Sequence, residues 1–302
     1  MRDAWSLAVE TAMQVDTPVT VCVGVICDAS HRDGPTIILA ADDKSTYGDP
    51  PLTTDKVCGK IHDFQPICDL GACISGSAEI CDAVIAEFHE QLKAMKQKEE
   101  AQGHWLATDH VRLAIREARH YEYGLFADDA MQGLLHIGLD QWRTETNPEI
   151  RRKGMAVMRA AMFHFPIWII FGGFLHGDWV LTRASGATVT SSGSSHYAVG
   201  IGQLPAYKAL HRRKHDYYSP YPAALVHVAE AMEAARKAYP KYIGKPADYL
   251  VLRRNQPMMR FRRRSPLLEK WLKAGTKSMV DSEELRRQFD AELYPLASVN
   301  PQ

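Results

Sequence analysis

The chain has 302 residues, enough for one large domain or two smaller ones, and carries 36 basic and 36 acidic side chains. Hydrophobic residues make up 46% of it and charged residues 24%, values typical of a globular protein with a large core. A net charge of zero gives no electrostatic reason to expect a nucleic-acid or membrane partner.

The first 19 residues contain no continuous apolar stretch, so they do not have the pattern of a secretion signal. The six cysteines lie in the first third of the chain, without a Cys-x-x-Cys pair or a zinc-finger spacing, and are expected to be buried free thiols. The most apolar run is interrupted by His164 and Pro166 and is too short to span a bilayer. These features predict a cytoplasmic protein without a cofactor.

Strands are predicted first in the chain. In VTVCVGVICD, residues 19–28, valines alternate with smaller residues, which is the period of a strand. TIILAADD closes a hairpin with it, and KVCGKIHDF and PICDLGACISG give two further short strands. From Ser77 the apolar residues follow a helical period, with Ser77 as the predicted N-cap.

A second helical stretch is predicted from about residue 108 to 163, with breaks near Gly124, near Gly138 and at Asn147-Pro148. Strands return in PIWIIFGGFLHG, DWVLTRAS, GATVTSS and HYAVGIG, helices resume at Gln203, and ADYLVLRR is a last strand. The order is strands, two helices, strands, two helices, strand. It predicts an α+β fold, a four-layer α/β/β/α sandwich with two packed, mainly antiparallel sheets.

The end of the chain, 254–302, is predicted as a basic and then helical extension. Residues 253–273 hold eight Arg or Lys side chains against one acid, Glu269. Such a run is either a solvated face or a contact with a partner subunit or a polyanion.

Four short features occur in one order along the first half. They are TVCVG with Thr20, ILAADDKSTYG with Asp42, TDKVCGKI with Lys56 and Lys60, and ISGSAEICDAV with Gly76. This ordered set resembles the N-terminal half of proteasome β-subunits and of HslV-type bacterial peptidases, which are N-terminal-nucleophile hydrolases. With weaker correspondences later in the chain, the resemblance covers about residues 20–253, with residues 1–19 as a propeptide or N-terminal extension.

The resemblance implies a threonine peptidase whose nucleophile is Thr20. A threonine hydroxyl needs a base, and in this family the base is the α-amine of the same residue, exposed when the propeptide is removed. Asp42 would orient the lysine, Lys56 would be that lysine, and the N–H of Gly76 would stabilise the oxyanion.

Substrate and partners follow from the same resemblance. Thr46 and Ala78 would hold the backbone of a peptide or unfolded protein as an added strand. The subunits would form a homo-oligomeric ring, with an ATPase or cap as a further partner. The helical region 108–163 is longer than its counterpart in the family, so the ring size does not carry over.

Two departures from the family pattern leave other functions open. Val19 precedes Thr20 where self-processing members have glycine, and Ile201 occupies the serine position of the family's Gly-Ser-Gly turn. One alternative is a catalytically inactive structural ring subunit of the same fold. The other is an N-terminal-nucleophile amidohydrolase that cleaves a small amide, because the fold alone does not decide between substrates.

Overall fold

The computed structural model describes residues 20–31, 34–42, 45–47, 52–54, 59–165, 167–185, 188–191, 194–244, 247–254, 256–261, 266–273 and 283–293. They form two compact units. The helical unit contains the described residues of 77–167 and 185–189, and the strand unit contains those of 20–76, 168–184 and 190–293.

The secondary structure follows the predicted order of strands and helices. In chain order the elements are β1 (Val21–Cys27), β2 (Thr36–Asp42), β3 (Ser45–Tyr47), β4 (Leu52–Thr54), β5 (Ile61–Asp63), β6 (Asp69–Gly76), α1 (Ala78–Ala101), α2 (Thr108–Leu135), α3 (Leu139–Arg143), α4 (Pro148–His164), β7 (Ile167–Leu175), β8 (Asp178–Ser185), β9 (Thr188–Ser191), β10 (His196–Gly200), α5 (Gln203–Arg212), α6 (Tyr221–Ala238), β11 (Ala247–Arg253), β12 (Met259–Phe261), α7 (Pro266–Lys273) and α8 (Glu283–Leu293).

Two antiparallel sheets of five strands confirm the predicted mixture of strand pairs and helices. The first has the strand order β10-β1-β2-β11-β12, and the second has the order β5-β6-β7-β8-β9. Strands β3 and β4 form a separate two-stranded hairpin. The fold is therefore of the α+β class and is compatible with a sandwich.

The two faces of β1 lie against different partners, as its alternating sequence predicts. Cys22 and Ile26 on one face join a buried cluster with Ile170 and Leu181 of the second sheet, so the two sheets pack face to face. Val21, Val23 and Val25 on the other face lie in a cluster with α5 and α6. The strand unit thus has three layers, one of helices and two of sheet.

The chain beyond Arg253 also contributes to the core of the strand unit. Leu268 of α7 and Phe289 of α8 are buried in the cluster that contains α6. Of the basic residues in the tail, Arg253 pairs with Asp290 and Arg260 pairs with Asp248. These two side chains therefore neutralise acids within the same chain.

The helical unit has its own apolar cluster, in which Ala127 and Met131 of α2 pack with Val157 and Ala161 of α4. The predicted helix breaks near Gly138 and at Asn147-Pro148 are confirmed, since Gly138 and Asn147 are the N-caps of α3 and α4. The predicted break near Gly124 is wrong, because α2 continues through that residue. A single glycine costs a helix only about 1 kcal/mol, and packing of the long helix outweighs that cost.

Candidate functional site

Pairing of β1 with β2 brings Thr20 and Asp42 to the same edge of the first sheet. Thr20 directly precedes β1, and Asp42 is the last residue of β2. Cys22 lies opposite Ala41 in this antiparallel pair, so the start of one strand meets the end of the other. The backbone register therefore fixes the relative position of the two side chains.

Lys60 completes a three-residue cluster from the neighbouring sheet. It directly precedes β5, and its backbone oxygen accepts a hydrogen bond of 2.9 Å from the N–H of Ile74 in β6. Its Nζ atom lies 2.6 Å from Thr20 Oγ1 and 3.0 Å from Asp42 Oδ1. The Thr20 hydroxyl in turn donates a hydrogen bond to Asp42 Oδ1.

Backbone donors hold the Asp42 carboxylate in place. The N–H of Val21 donates to Oδ1 at 3.0 Å, and the N–H of Gly244 donates to Oδ2 at 3.2 Å. Asp42 is 1% exposed, and Lys60 retains 12% exposure of its side chain. A buried carboxylate is stable only when it is paired and hydrogen-bonded, and Asp42 meets both conditions. The cluster is thus a preorganised ion pair whose two charged groups both contact the Thr20 hydroxyl.

The chemical consequence of this cluster concerns the Thr20 hydroxyl. An ammonium group at hydrogen-bond distance stabilises negative charge that develops on an oxygen, and this effect is strongest where water is excluded. Thr20 is 4% exposed, so its surroundings contain little water. The arrangement supports a nucleophilic hydroxyl.

Gly200 lies directly against the main chain of Thr20. Gly200 is paired with Val21 and has a φ of +89°, a conformation that favours glycine. A Cβ atom at this position would collide with the carbonyl oxygen of Thr20 and would lie 2.8 Å from Ser75 Oγ. The first sheet and β6 therefore approach each other closely beside Thr20.

The structure also describes three other predicted site residues, Gly76, Thr46 and Ala78. Gly76 is the last residue of β6, two positions after Ile74, whose carbonyl oxygen accepts a hydrogen bond from Cys22 Sγ at 3.2 Å. Thr46 lies in β3, opposite Thr53 of β4. Ala78 is the first residue of α1 in the helical unit. The roles of these three residues stay predictions.

Lys56 lies outside the described residues, so its predicted role stays a prediction. The lysine that the structure places at Thr20 is Lys60, the second lysine of TDKVCGKI, to which the resemblance assigns no role. The signal for Lys60 is its position directly before the apolar residue that begins β5. Ile201, which the resemblance aligns with a serine, packs against the core cluster that contains α5 and α6.

A second buried polar cluster lies near the end of β1 that is remote from Thr20. It consists of three histidine side chains, His196, His215 and His227. His215 Nε2 lies 3.1 Å from the carbonyl oxygen of Ile26, and its Nδ1 lies 3.3 Å from Nδ1 of His227. A neutral His215 must donate through Nε2 to this carbonyl oxygen, so its Nδ1 accepts a hydrogen bond from Nδ1–H of His227.

Burial keeps these histidines neutral. It lowers the pKa of His215 to about 3, helped by the neighbouring His227 and His196. Burial likewise lowers the pKa of His196 to about 4, together with His211. For His227 the pKa is about 4, again from burial and then from the positive charge of Arg213. Within the described part of the chain, no group of three or more His, Cys, Asp or Glu side chains is arranged to hold a metal ion.

No helix among the described residues is both long and apolar enough to cross a membrane. Comparison of the sequence with models of known protein families gives no match, and comparison with curated proteins gives none. Any conclusion about function therefore depends on the chemistry of the Thr20 cluster.

Proposed function

We propose that this chain is a threonine peptidase subunit of the N-terminal-nucleophile type, which hydrolyses peptide bonds after residues 1–19 are removed. One observation carries the proposal: Lys60 Nζ lies 2.6 Å from Thr20 Oγ1, and both side chains are hydrogen-bonded to the buried Asp42. Hydroxyl, ammonium and carboxylate groups in this arrangement are the components that an N-terminal threonine needs besides its own amine.

The proposed reaction begins when cleavage between Val19 and Thr20 exposes the α-amine of Thr20. The amine accepts the proton of Thr20 Oγ1 as this oxygen attacks the carbonyl carbon of the substrate. The N–H of Gly76 donates to the oxyanion of the tetrahedral intermediate. When the C–N bond breaks, the amine returns the proton to the leaving nitrogen. Water then hydrolyses the ester, which restores the free hydroxyl and releases the second product.

Lys60 and Asp42 act on the nucleophile in this scheme. The ammonium of Lys60 stabilises the developing charge on Oγ1, and it disfavours protonation of the nearby amine by like-charge repulsion. Asp42 holds Lys60 in place and balances its charge. Asp42 is itself held by hydrogen bonds from the backbone N–H groups of Val21 and Gly244. The position of Lys60 relative to Thr20 therefore depends on the backbone at the start of β1 and at the end of β2.

The substrate and assembly belong to the same proposal. Two packed five-stranded sheets with helices on an outer face are compatible with the N-terminal-nucleophile hydrolase fold. Thr46 and Ala78 would hold the substrate backbone as an added strand. We further propose a homo-oligomeric ring that takes unfolded protein, with an ATPase or cap as partner. The proposal needs no cofactor.

The decisive experiment measures both cleavage and turnover. Full-length protein is analysed by intact-mass spectrometry and assayed with fluorogenic peptides, alongside Thr20→Ala and the matched control Thr17→Ala. We expect the wild type and Thr17→Ala to lose residues 1–19 and to hydrolyse the peptides, whereas Thr20→Ala does neither. Native mass spectrometry of the same samples should show rings.

Two results would contradict the proposal. One is a wild-type chain that keeps residues 1–19 under all assembly conditions, which would favour an inactive ring subunit. The other is unchanged peptide turnover by Thr20→Ala, which would place any activity at another site. Hydrolysis of small amides but not of peptides would keep the nucleophile and change the substrate class.

A further inference from the structure

Ser75 places a buried hydroxyl group beside the proposed nucleophile. It lies in β6, directly before Gly76, and is 1% exposed. Its Oγ atom has no hydrogen-bond partner among the residues that the structure describes. A buried hydroxyl without a partner costs about 1–3 kcal/mol, so an alanine would suit the resting structure better. The Ser75 hydroxyl can therefore accept a hydrogen bond from a donor that appears only in another state of the protein.

The main chain of Thr20 is the neighbour of Ser75 that can supply such a donor. A Cβ atom on Gly200 would lie 2.8 Å from Ser75 Oγ and would also collide with the Thr20 carbonyl oxygen. The Ser75 hydroxyl and the carbonyl oxygen of Thr20 therefore both face the position that a side chain of Gly200 would occupy, so the two groups lie beside each other. Strand β6 is held against β1 here, because Cys22 Sγ donates a hydrogen bond to the carbonyl oxygen of Ile74.

We infer that Ser75 is a positioning residue for Thr20, and that its hydroxyl accepts a hydrogen bond from the α-amine of Thr20. This inference rests on the proposed function, because the amine exists only after the bond between Val19 and Thr20 is cut. The main-chain nitrogen and oxygen of one residue are only about 3 Å apart. Because the carbonyl oxygen of Thr20 lies beside the Ser75 hydroxyl, the new amine of Thr20 lies close to that hydroxyl as well. Cleavage thereby supplies N–H donors beside a hydroxyl that has no partner.

The hydrogen bond has two chemical effects. It fixes the rotation of the amine about its bond to Cα, so that the nitrogen lone pair points at Thr20 Oγ1. It also favours the protonated amine, because a hydroxyl oxygen accepts from an ammonium more strongly than from a neutral amine. Ser75 thus strengthens the base, whereas the positive charge of Lys60 weakens it. The balance between them sets the pH at which the amine can accept a proton.

The test compares Ser75→Ala with the matched control Thr36→Val in protein that has lost residues 1–19, as confirmed by intact mass. Thr36 also has a buried hydroxyl without a partner among the described residues, but it begins β2, at the end remote from Asp42. We measure kcat, KM, the pH dependence of kcat and the melting temperature for each variant.

For Ser75→Ala we expect an approximately tenfold lower kcat at neutral pH, equivalent to the loss of one hydrogen bond. KM should not change, and the acid limb of the kcat profile should move to lower pH. In the uncleaved Thr20→Ala background, where the free amine does not exist, Ser75→Ala should leave the melting temperature unchanged or raise it, which a merely structural role would not produce. Thr36→Val should leave kcat and its pH profile unchanged.

The outcomes separate this inference from the proposed function. If the activity of wild-type protein does not depend on Thr20, the proposed function fails and the role of Ser75 fails with it. If activity requires Thr20 but Ser75→Ala keeps the wild-type kcat and pH profile, only the role of Ser75 is overturned. A fall in kcat that occurs equally in Thr36→Val would also overturn it, since the effect would not be specific to Thr20.

Discussion

Asp28 and Arg286 form a buried, doubly hydrogen-bonded ion pair although 258 positions separate them in the sequence. Arg286 Nη1 donates to Asp28 Oδ2 at 2.7 Å, and Nη2 donates to Oδ1 at 3.0 Å. The guanidinium also lies 5.2 Å from the ring centroid of Tyr221. The pair connects α8 to the residue that follows β1.

Replacement of Arg286 should destabilise the strand unit strongly. Arg286→Met removes one partner of a buried pair and leaves the Asp28 carboxylate without its cation, which costs about 3–5 kcal/mol. Urea unfolding should show this loss, and the double variant Arg286→Met/Asp28→Asn should recover part of it. The control Arg287→Met concerns an exposed side chain and should cost less than about 1 kcal/mol. Equal losses from Arg286→Met and Arg287→Met would contradict the assignment.

The two lysines of TDKVCGKI should differ in their effect on catalysis. Lys60→Met removes the only described ammonium beside Thr20 Oγ1 and should lower kcat by about 100-fold or more. Lys56→Met should retain activity close to that of the wild type if Lys60 is the catalytic lysine. Both variants are assayed with the fluorogenic peptides after confirmation of their mass. The reverse result would restore the role that the resemblance assigned to Lys56.

A side chain at Gly200 should disturb both the fold and the site. Gly200→Ala meets a φ of +89° and the carbonyl oxygen of Thr20, so we expect a loss of about 2 kcal/mol or more in unfolding free energy. Peptide hydrolysis should fall with it, because Thr20 must shift. Gly59→Ala is the control, since a Cβ at Gly59 has no neighbour within 4 Å among the described residues. An unchanged melting temperature and turnover for Gly200→Ala would refute the close approach.

Mild acid should destabilise the fold through the buried histidines. The pKa of His215 is about 3 in the folded protein and close to 6.5 when the chain unfolds, so the unfolded chain takes up a proton first. Stability is therefore fully present above pH 6.5 and falls as the pH drops towards about 3. The slope from this group is up to about 1.4 kcal/mol per pH unit, and His196 and His227 add to it.

Urea unfolding at several pH values measures this slope. A range from about 7.5 to about 4 covers the protonation of histidine in the unfolded chain, at about pH 6.5. Other ionisable groups face the cluster from α5, α6 and the segment between them, namely Tyr207, His211, Arg213, Asp216 and Glu230. His215→Gln should flatten the pH dependence by about one proton, while the exposed His120→Gln should leave it unchanged. Parallel pH profiles for the wild type and His215→Gln would exclude this role.

Local patterns predicted the strands and the long helices, because alternating valines or a 3.6-residue period reflect burial on one face. The predicted hairpin of β1 and β2 is confirmed, but it was the resemblance that grouped Thr20 with Asp42. Local patterns give no role to Lys60, because its contact with Thr20 forms only when separate strands come together in the fold.

Contacts between distant segments were not predictable from the sequence. Nothing near Arg286 identifies Asp28 as its partner, and the separation of His196 from His227 hides their proximity. Arg253 was counted as one charge in a basic run, whereas in the structure it pairs with Asp290. The charged residues of a sequence limit how many ion pairs can form, but the fold determines which residues pair.

The ion pair between Asp28 and Arg286 has a consequence for the order of events during synthesis. Asp28 follows the first described strand, and Arg286 belongs to the last described helix. The Asp28 carboxylate lacks this cation until the ribosome has made Arg286, so the ion pair beside the end of β1 forms only after α8 has been synthesised. Thr20 directly precedes β1, so we expect its site to become fully packed only after that step.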